Sequence, residues 1–125
     1  MKKAKNTKEK KEEKVLDASG KTLGRLASMA AVILSGKDNP SYERHIYSGS
    51  PLKIVNVRKI RITEEKLESI THKKYSGYPG GLKELSGTEV AEKKGYKELV
   101  KHAVHQMLPG NKLRREMMKN LTIEE

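Results

Sequence analysis

The chain has 125 residues, and its 27 Lys and Arg outnumber 16 Asp and Glu to give a net charge of +11. This length normally forms one domain, and the absence of Phe and Trp means that the core must be aliphatic. The lack of Cys excludes disulfide scaffolds and thiol chemistry. No apolar run approaches the ~18 residues of a membrane span, so we expect a soluble, cytoplasmic protein.

Residues 1–14 contain seven Lys and three Glu and almost nothing that could pack in a core. Their net charge of +4 leaves +7 on residues 15–125, which are therefore basic in their own right. The segment is either a solvated tail or an arm whose lysines neutralise phosphates and release counterions. The sequence predicts a Lys-rich arm at residues 1–14, disordered without RNA, and a single α/β domain at residues 15–125.

The first half of the domain reads as a strand, a helix, a loop and a second strand. Residues 15–18 predict a short strand. Residues 22–35 carry apolar side chains at helical spacing, with Thr22 as the N-cap and Gly36 as the stop. Residues 37–51 predict a loop. The run at residues 54–57 is apolar on both faces and predicts a strand covered on both sides.

The second half predicts mainly helices. Residues 66–76 suggest a strand or extended arm, and the Gly-Pro composition of residues 75–81 indicates a loop. Ser86 and Glu89 resemble a capping box that opens a helix, which Gly95 interrupts. A second helix follows and ends at Pro109. Residues 111–121 predict a further helix, and residues 121–123 predict a last strand, giving an α/β order with helices on both faces of a largely parallel sheet.

Gly20-Lys21-Thr22 lies between a predicted strand and a predicted helix, where a phosphate-binding P-loop would sit. That motif requires another Gly five positions before Gly20, and the residue there is Val15. Nucleotide hydrolysis is therefore disfavoured. A helix start flanked by Lys21 remains a suitable place for a nucleic-acid phosphate.

Metal and catalytic chemistry find little support in the sequence. His102 and His105 are three positions apart on one helix, but no third ligand has a suitable spacing. Histidines that are partly exposed on a helix are the simpler interpretation. No catalytic triad, HExxH motif or pair of carboxylates stands out, so we predict neither an enzyme nor a metal or cofactor site.

Two basic segments are candidates for contact with nucleic acid. The loop that contains Tyr75 and Tyr78 is flanked by Lys73, Lys74 and Lys83, and its rings could stack on unpaired bases, although a plain surface turn would show the same pattern. On the last helix, Lys112, Arg115 and Lys119 lie opposite Leu113, Met117 and Leu121. Such basic faces are often only solvated. Their recurrence across one small domain favours RNA binding.

Four segments together resemble the L-thirteen family of bacterial large-subunit ribosomal proteins: VLDASGKTLGRLAS at 15–28, KIVNV at 53–57, YSGYPGGL at 75–82 and VHQMLPGNKLRREMMKNL at 104–121. The resemblance implies a three-layer α/β/α domain on a small, mostly parallel four-stranded sheet, which binds 23S rRNA early in large-subunit assembly and has no catalytic activity. Other implied partners are neighbouring large-subunit proteins. The residues predicted to bind RNA are Lys21, Thr22, Arg25, Lys37, Arg44, His45, Lys73, Lys74, Tyr75, Tyr78, Lys83, Lys112, Arg114, Arg115 and Lys119.

Two other functional classes remain as alternatives. One is a P-loop-like nucleotide enzyme, which Val15 argues against. The other is a free-standing nucleic-acid-binding regulator, for which the sequence offers no helix-turn-helix, heptad or zinc-finger pattern. A structural ribosomal protein is the leading hypothesis.

Overall fold

A computed structural model describes residues 11–125. Its first half contains strand β1 (Lys14–Asp17), helix α1 (Leu23–Ser35), strand β2 (Leu52–Val55), a short 3₁₀ helix (Val57–Lys59) and helix α2 (Glu64–Ser69). Its second half contains strands β3 (Thr71–Tyr75) and β4 (Leu82–Ser86), helices α3 (Gly87–Lys94), α4 (Tyr96–Met107) and α5 (Leu113–Lys119), and strand β5 (Leu121–Ile123). The predicted α/β class is confirmed. None of the helices within residues 11–125 has the length and apolar character needed to cross a membrane.

The strands form two separate sheets. Strands β1, β2 and β5 make a parallel sheet in the order β1-β2-β5, in which Leu16 lies beside Ile54 and Ile54 beside Ile123. Strands β3 and β4 pair only with each other, as an antiparallel hairpin. The predicted four-stranded sheet is therefore not found in the described part of the chain, because the strand at residues 71–75 pairs locally with β4, whose residues 82–85 the sequence assigned to no element.

The parallel sheet buries one face much more completely than the other. Leu52 and Ile54 are fully buried, and helix α1 packs against β2, α4 and α5 on the core side. On the second face Val15 is 64% exposed and Lys53 only half-buried. A sheet covered on both faces, and with it the three-layer arrangement, is not confirmed.

The end of β2 departs from the predicted strand for a local reason. Asn56 adopts the left-handed conformation (φ 58°, ψ 39°), which Asn tolerates better than most residues. Its side-chain amide donates to Asp17 Oδ1 at 3.1 Å. The chain then turns into the 3₁₀ helix, so the fully buried Val57 packs in the core from outside the sheet.

The boundaries of α1, α3 and α4 agree well with the sequence. Helix α2 does not, because it includes residues 66–69 of the segment predicted as a strand or extended arm; it starts where Thr63 accepts a hydrogen bond from the Lys66 N–H at 3.4 Å. Gly36 ends α1 in the left-handed conformation, and its N–H donates to the Ile33 carbonyl at 3.2 Å. Ser86 caps α3 by accepting a hydrogen bond from the Glu89 N–H at 3.3 Å. Gly95, at φ 77°, separates α3 from α4. Thr22 stands at the N-cap position of α1, but its side chain makes no capping hydrogen bond.

Candidate nucleic-acid interface

Helix α5 presents its cations outward and its apolar side chains inward, as the sequence predicted. Met117 is buried, whereas Lys112, Arg115 and Lys119 are exposed. Together with the half-buried Arg114, these three cations are called the α5 surface. They line a shallow hollow of about 910 Å³, whose other lining residues are His105, Gly110, Asn111 and Met118. Among residues 11–125 no carboxylate lines this hollow, so the charged side chains that line it are cations.

The turn between α4 and α5 fixes the position of this helix. Pro109 follows α4, and Asn111 Oδ1 accepts a hydrogen bond from the Leu113 N–H at 3.1 Å, which satisfies a free donor at the start of α5. At the other end, the Asn120 side-chain amide donates to the Tyr47 hydroxyl. Helix α5 is therefore held at both ends by polar contacts.

The Tyr47 contact also brings the loop at residues 37–51 against α5. Lys37 and Arg44 line a second hollow of about 400 Å³ with Pro109 and Asn111, and Asn111 is shared with the α5 hollow. Two of the predicted loop cations thus adjoin the α5 surface. His45 is exposed and contacts Glu43 at 3.5 Å, and the Glu43 carboxylate also lines the second hollow.

The last residues before β1 pack on the same loop. Lys11 Nζ donates to the Gly49 carbonyl at 3.1 Å and lies 5.7 Å from the centre of the Tyr47 ring. Lys14 forms an ion pair with Asp38 and belongs to β1. Burial, assisted by the Glu116 charge, raises the pKa of Tyr47, so its hydroxyl stays neutral near pH 7. Residues 1–10 of the predicted arm lie outside the described residues.

The β3–β4 hairpin places two of its cations on the face opposite Tyr75, whereas Lys73 shares the face of Tyr75. Lys74 lies directly opposite Lys83 on one face, and Tyr75 lies opposite Leu82 on the other. Tyr75 is 63% exposed, Tyr78 at the tip is 76% exposed, and Leu82 is 55% exposed. Of the predicted hairpin cations, only Lys73 approaches an acid, Glu84, at 3.6 Å.

Helix α4 connects the hairpin to the α5 surface through histidines. The rings of His72 on β3 and His102 on α4 have their centres 4.1 Å apart, at an angle of 43°. His105 lies one turn further along α4 and lines the α5 hollow. Burial, followed by the neighbouring His102 charge, lowers the pKa of His72, while burial and then Arg114 lower that of His105. Both imidazoles are therefore mostly neutral near pH 7.

The remaining predicted cations lie at a different place. Lys21 and Arg25 flank the start of α1, at the carboxyl ends of the parallel strands. The N–H groups of Gly20 and Lys21 donate to the carbonyls of Lys59 and Ala18, at 3.0 and 3.2 Å. In a P-loop these N–H groups would have to be free to donate to a phosphate. Because both already donate to main-chain carbonyls, the structure argues against a P-loop.

Residues 11–125 contain no cluster of three or more His, Asp or Glu that could hold a metal ion. The two α4 histidines, for which the sequence favoured partly exposed positions over a metal pair, have different surroundings: His102 lies beside the His72 ring, and His105 lines the α5 hollow.

Comparison with known proteins places the chain among ribosomal proteins. A sequence model of the family described as ribosomal protein L13 matches residues 11–124. Large ribosomal subunit protein uL13 of Thermoanaerobacter sp. (strain X514) is 46% identical over 109 residues, which are 87% of this chain and 76% of that protein. The uL13 proteins of Clostridioides difficile and Thermotoga maritima are 43% and 44% identical over 109 residues, 87% of this chain and 76% and 72% of those proteins.

The chain belongs to the ribosomal protein L13 family. This confirms the resemblance drawn from the segments at residues 15–28, 53–57, 75–82 and 104–121.

Sequence reasoning missed two exposed cations, Lys59 and Arg61. The backbone places them beside Lys21, because Gly20 N–H donates to the Lys59 carbonyl and Arg61 N–H donates to the Lys21 carbonyl at 2.9 Å. The sequence signal for them was the density of cations at residues 58–61, directly after the predicted strand at residues 54–57.

Proposed function

We propose that the protein is a structural constituent of the large ribosomal subunit, where it binds 23S rRNA, contacts neighbouring subunit proteins and supports early subunit assembly in the cytoplasm. The observation that carries this proposal is the α5 surface, a basic hollow without a carboxylate that adjoins the cations of the 37–51 loop. Such a surface suits a polyanion with many regularly spaced charges. Family membership supports ribosomal RNA as this polyanion.

The α5 surface would act on the RNA backbone. Arg114 and Arg115 carry planar guanidinium groups that can bind phosphate oxygens in pairs, whereas Lys112 and Lys119 act as point charges. Each neutralised phosphate also releases counterions, which adds ~0.7 to 0.9 to the slope of log affinity against log salt. The lysines of residues 1–14 would add to this term without adding sequence selectivity.

The hairpin would act on unpaired nucleotides. Tyr75 and Tyr78 offer exposed rings for base stacking, which contributes ~1 to 3 kcal/mol per base. Lys74 and Lys83, on the other face, are available for the adjoining phosphates. A hairpin of this kind suits the splayed bases of RNA loops better than a regular duplex.

Catalysis is not part of the proposal, because the functional surface consists of cations and exposed rings without a paired nucleophile and base. We propose no cofactor and no small-molecule substrate. A nucleotide enzyme is further disfavoured by the engaged N–H groups of Gly20 and Lys21.

The test compares two lysines in equivalent helical positions. Lys119 is in the last turn of α5, and Lys93 is in the last turn of α3; both are exposed. Reversal of either charge should cost similar stability through the helix dipole, ~0.3 to 1 kcal/mol. We expect Lys119→Glu to weaken binding to a 23S rRNA fragment about tenfold, as the loss of a charged hydrogen bond would. Lys93→Glu should leave the affinity nearly unchanged.

Filter binding at several salt concentrations measures both affinities, and a thermal unfolding curve checks each variant. Equal losses of affinity in the two variants would show that only net charge matters. A loss of folding in Lys119→Glu alone would show that this side of α5 faces the domain. Either outcome contradicts the proposed interface.

A further inference from the structure

Three cations meet at the carboxyl end of the parallel sheet, and we call Lys21, Lys59 and Arg61 the edge surface. Two backbone hydrogen bonds join the segments that carry them: Gly20 N–H to the Lys59 carbonyl at 3.0 Å, and Arg61 N–H to the Lys21 carbonyl at 2.9 Å. Thr22 and Arg61 also form a parallel bridge. The main chain therefore brings the backbones of these three residues close together.

The edge surface has no evident role in holding the fold together. Lys59 and Arg61 are exposed, and within residues 11–125 none of the three cations takes part in an ion pair. Like charges held on adjoining segments repel one another, which lowers stability slightly. The arrangement has a cost for the isolated domain and an advantage only with an anionic partner.

Nearby acids are already engaged elsewhere. Glu125 binds the guanidinium of Arg58 at 2.7 Å, and Asp17 Oδ1 accepts hydrogen bonds from Ser19 N–H at 2.9 Å and Asn56. Glu64 and Glu65 occupy the first turn of α2, where the helix dipole favours a negative charge. The Lys21 charge does lower the pKa of Asp17, but this comes after the hydrogen bonds from Ser19 and Asn56.

The edge surface and the α5 surface lie at opposite ends of the sheet. Lys21 follows β1 and Lys59 follows β2, whereas α5 immediately precedes β5. Because the three strands are parallel, the residues before them and the residues after them lie at opposite edges. A four-residue strand is ~13 Å long, so one phosphate cannot contact both surfaces.

We infer that the edge surface binds the phosphate backbone of a second RNA segment, so that the protein holds two segments at opposite edges of its sheet. This inference rests on the proposed function for the α5 surface. Recognition at the edge surface is by charge and spacing of phosphates and carries no base preference. The protein then acts as a spacer whose length is set by the strands.

The experiment measures how many RNA molecules bind to one full-length protein molecule. The probe is a short A-form RNA hairpin, and native mass spectrometry at increasing RNA concentration measures complexes with one and with two probes. We expect the unmodified protein to form both. Lys59→Glu with Arg61→Glu should reduce the complex with two probes at least ~tenfold and retain the complex with one. The charge-preserving variant Lys59→Arg with Arg61→Lys should retain both complexes.

A second pair of variants separates this inference from the proposed function. Arg115→Glu with Lys119→Glu should also leave one probe bound, and the four substitutions together should weaken binding of both probes at least ~tenfold. If the unmodified protein binds no probe, the proposed function fails. If it binds only one, or if reversal at Lys59 and Arg61 leaves the second probe in place, the inference fails while the proposed function stands. Should the charge-reversed edge variant unfold, Lys59→Gln with Arg61→Gln takes its place with the same expectation.

Discussion

The two sheets differ in burial: the parallel sheet is packed in the core, whereas the β3–β4 hairpin is largely exposed. The parallel sheet buries Leu52 and Ile54 completely under helix α1 and its neighbours. The β3–β4 hairpin exposes Tyr75 and Leu82 and sets Lys74 directly opposite Lys83. Like charges in that position destabilise a sheet, and two-stranded hairpins are marginal on their own. The comparison suggests that the first sheet is built for folding and the second for a partner.

The two sheets should differ most in the loss of stability when one aliphatic side chain in each is shortened to alanine. Ile54→Ala removes a fully buried side chain from β2, and we expect the free energy of unfolding to fall by about 2 to 5 kcal/mol. Leu82→Ala, on the exposed face of the hairpin, should lower it by less than about 0.5 kcal/mol. Urea denaturation measures both. Comparable losses would mean that the hairpin is part of the core, contrary to the comparison.

A smaller effect should come from reversing the charge of Lys83, which should raise the stability of the protein and lower its affinity for RNA. Lys83→Glu replaces repulsion with Lys74 by attraction, and we expect the free energy of unfolding to rise by about 0.2 to 1 kcal/mol. The same variant should bind the rRNA fragment more weakly, because a lysine that contacts an RNA phosphate is lost. Lys83→Gln serves as the control and should show the binding loss with a smaller gain in stability. A fall in both quantities would refute the idea that this pair is kept for a partner.

The smallest effect is a pH dependence of stability that arises at His72, where the hairpin contacts α4. Because burial lowers the pKa of His72 in the folded state, the unfolded chain binds more protons below pH ~6.5. Stability from the neutral ring is thus fully present above that pH and is lost as the pH falls toward the folded pKa. The charges that face His72 are His102 and Lys94, which oppose its protonation, and Glu98, which favours it.

We therefore expect the thermal midpoint to fall between about pH 6.5 and pH 5, and to fall less in His72→Asn. Thermal unfolding monitored by circular dichroism, at constant ionic strength, measures the difference. Identical pH profiles for the two proteins would show that the His72 junction does not titrate with folding.

Sequence periodicity predicted α1, α4 and α5 well, for a physical reason, but it missed the short helix α2. In α1 and α4 the apolar stripe faces one core, so spacing along the chain determines burial directly. The same argument placed Met117 inward and Lys119 outward on α5, as the structure has them. Strand β4 was not predicted because Leu82 and Leu85 are three positions apart, which breaks the period of two typical of a strand, and none of its residues is fully buried.

The parts of the candidate interface that depend on tertiary contacts could not be predicted. The 37–51 loop meets α5 through one hydrogen bond, between Tyr47 and Asn120, which no local pattern reveals. The edge surface depends on backbone pairing of residues 20–22 with residues 59–61, segments that the sequence assigned to separate elements. Likewise, Asn56 ends β2 by its left-handed backbone inside an apolar run that favoured a longer strand.

The strand order β1-β2-β5 has a consequence for the order of folding. Strand β1, helix α1 and strand β2 are adjacent in the chain and can associate as soon as they have been synthesised, and so can the hairpin. The other side of β2 stays unpaired until β5 has been synthesised, because Leu52 pairs with Leu121 and Ile54 with Ile123. Closing so long an intervening segment carries a large loop entropy and slows folding. A nascent chain would therefore emerge from the ribosome with β2 still unpaired on one side, and completion of the sheet would coincide with the arrival of residues 121–123.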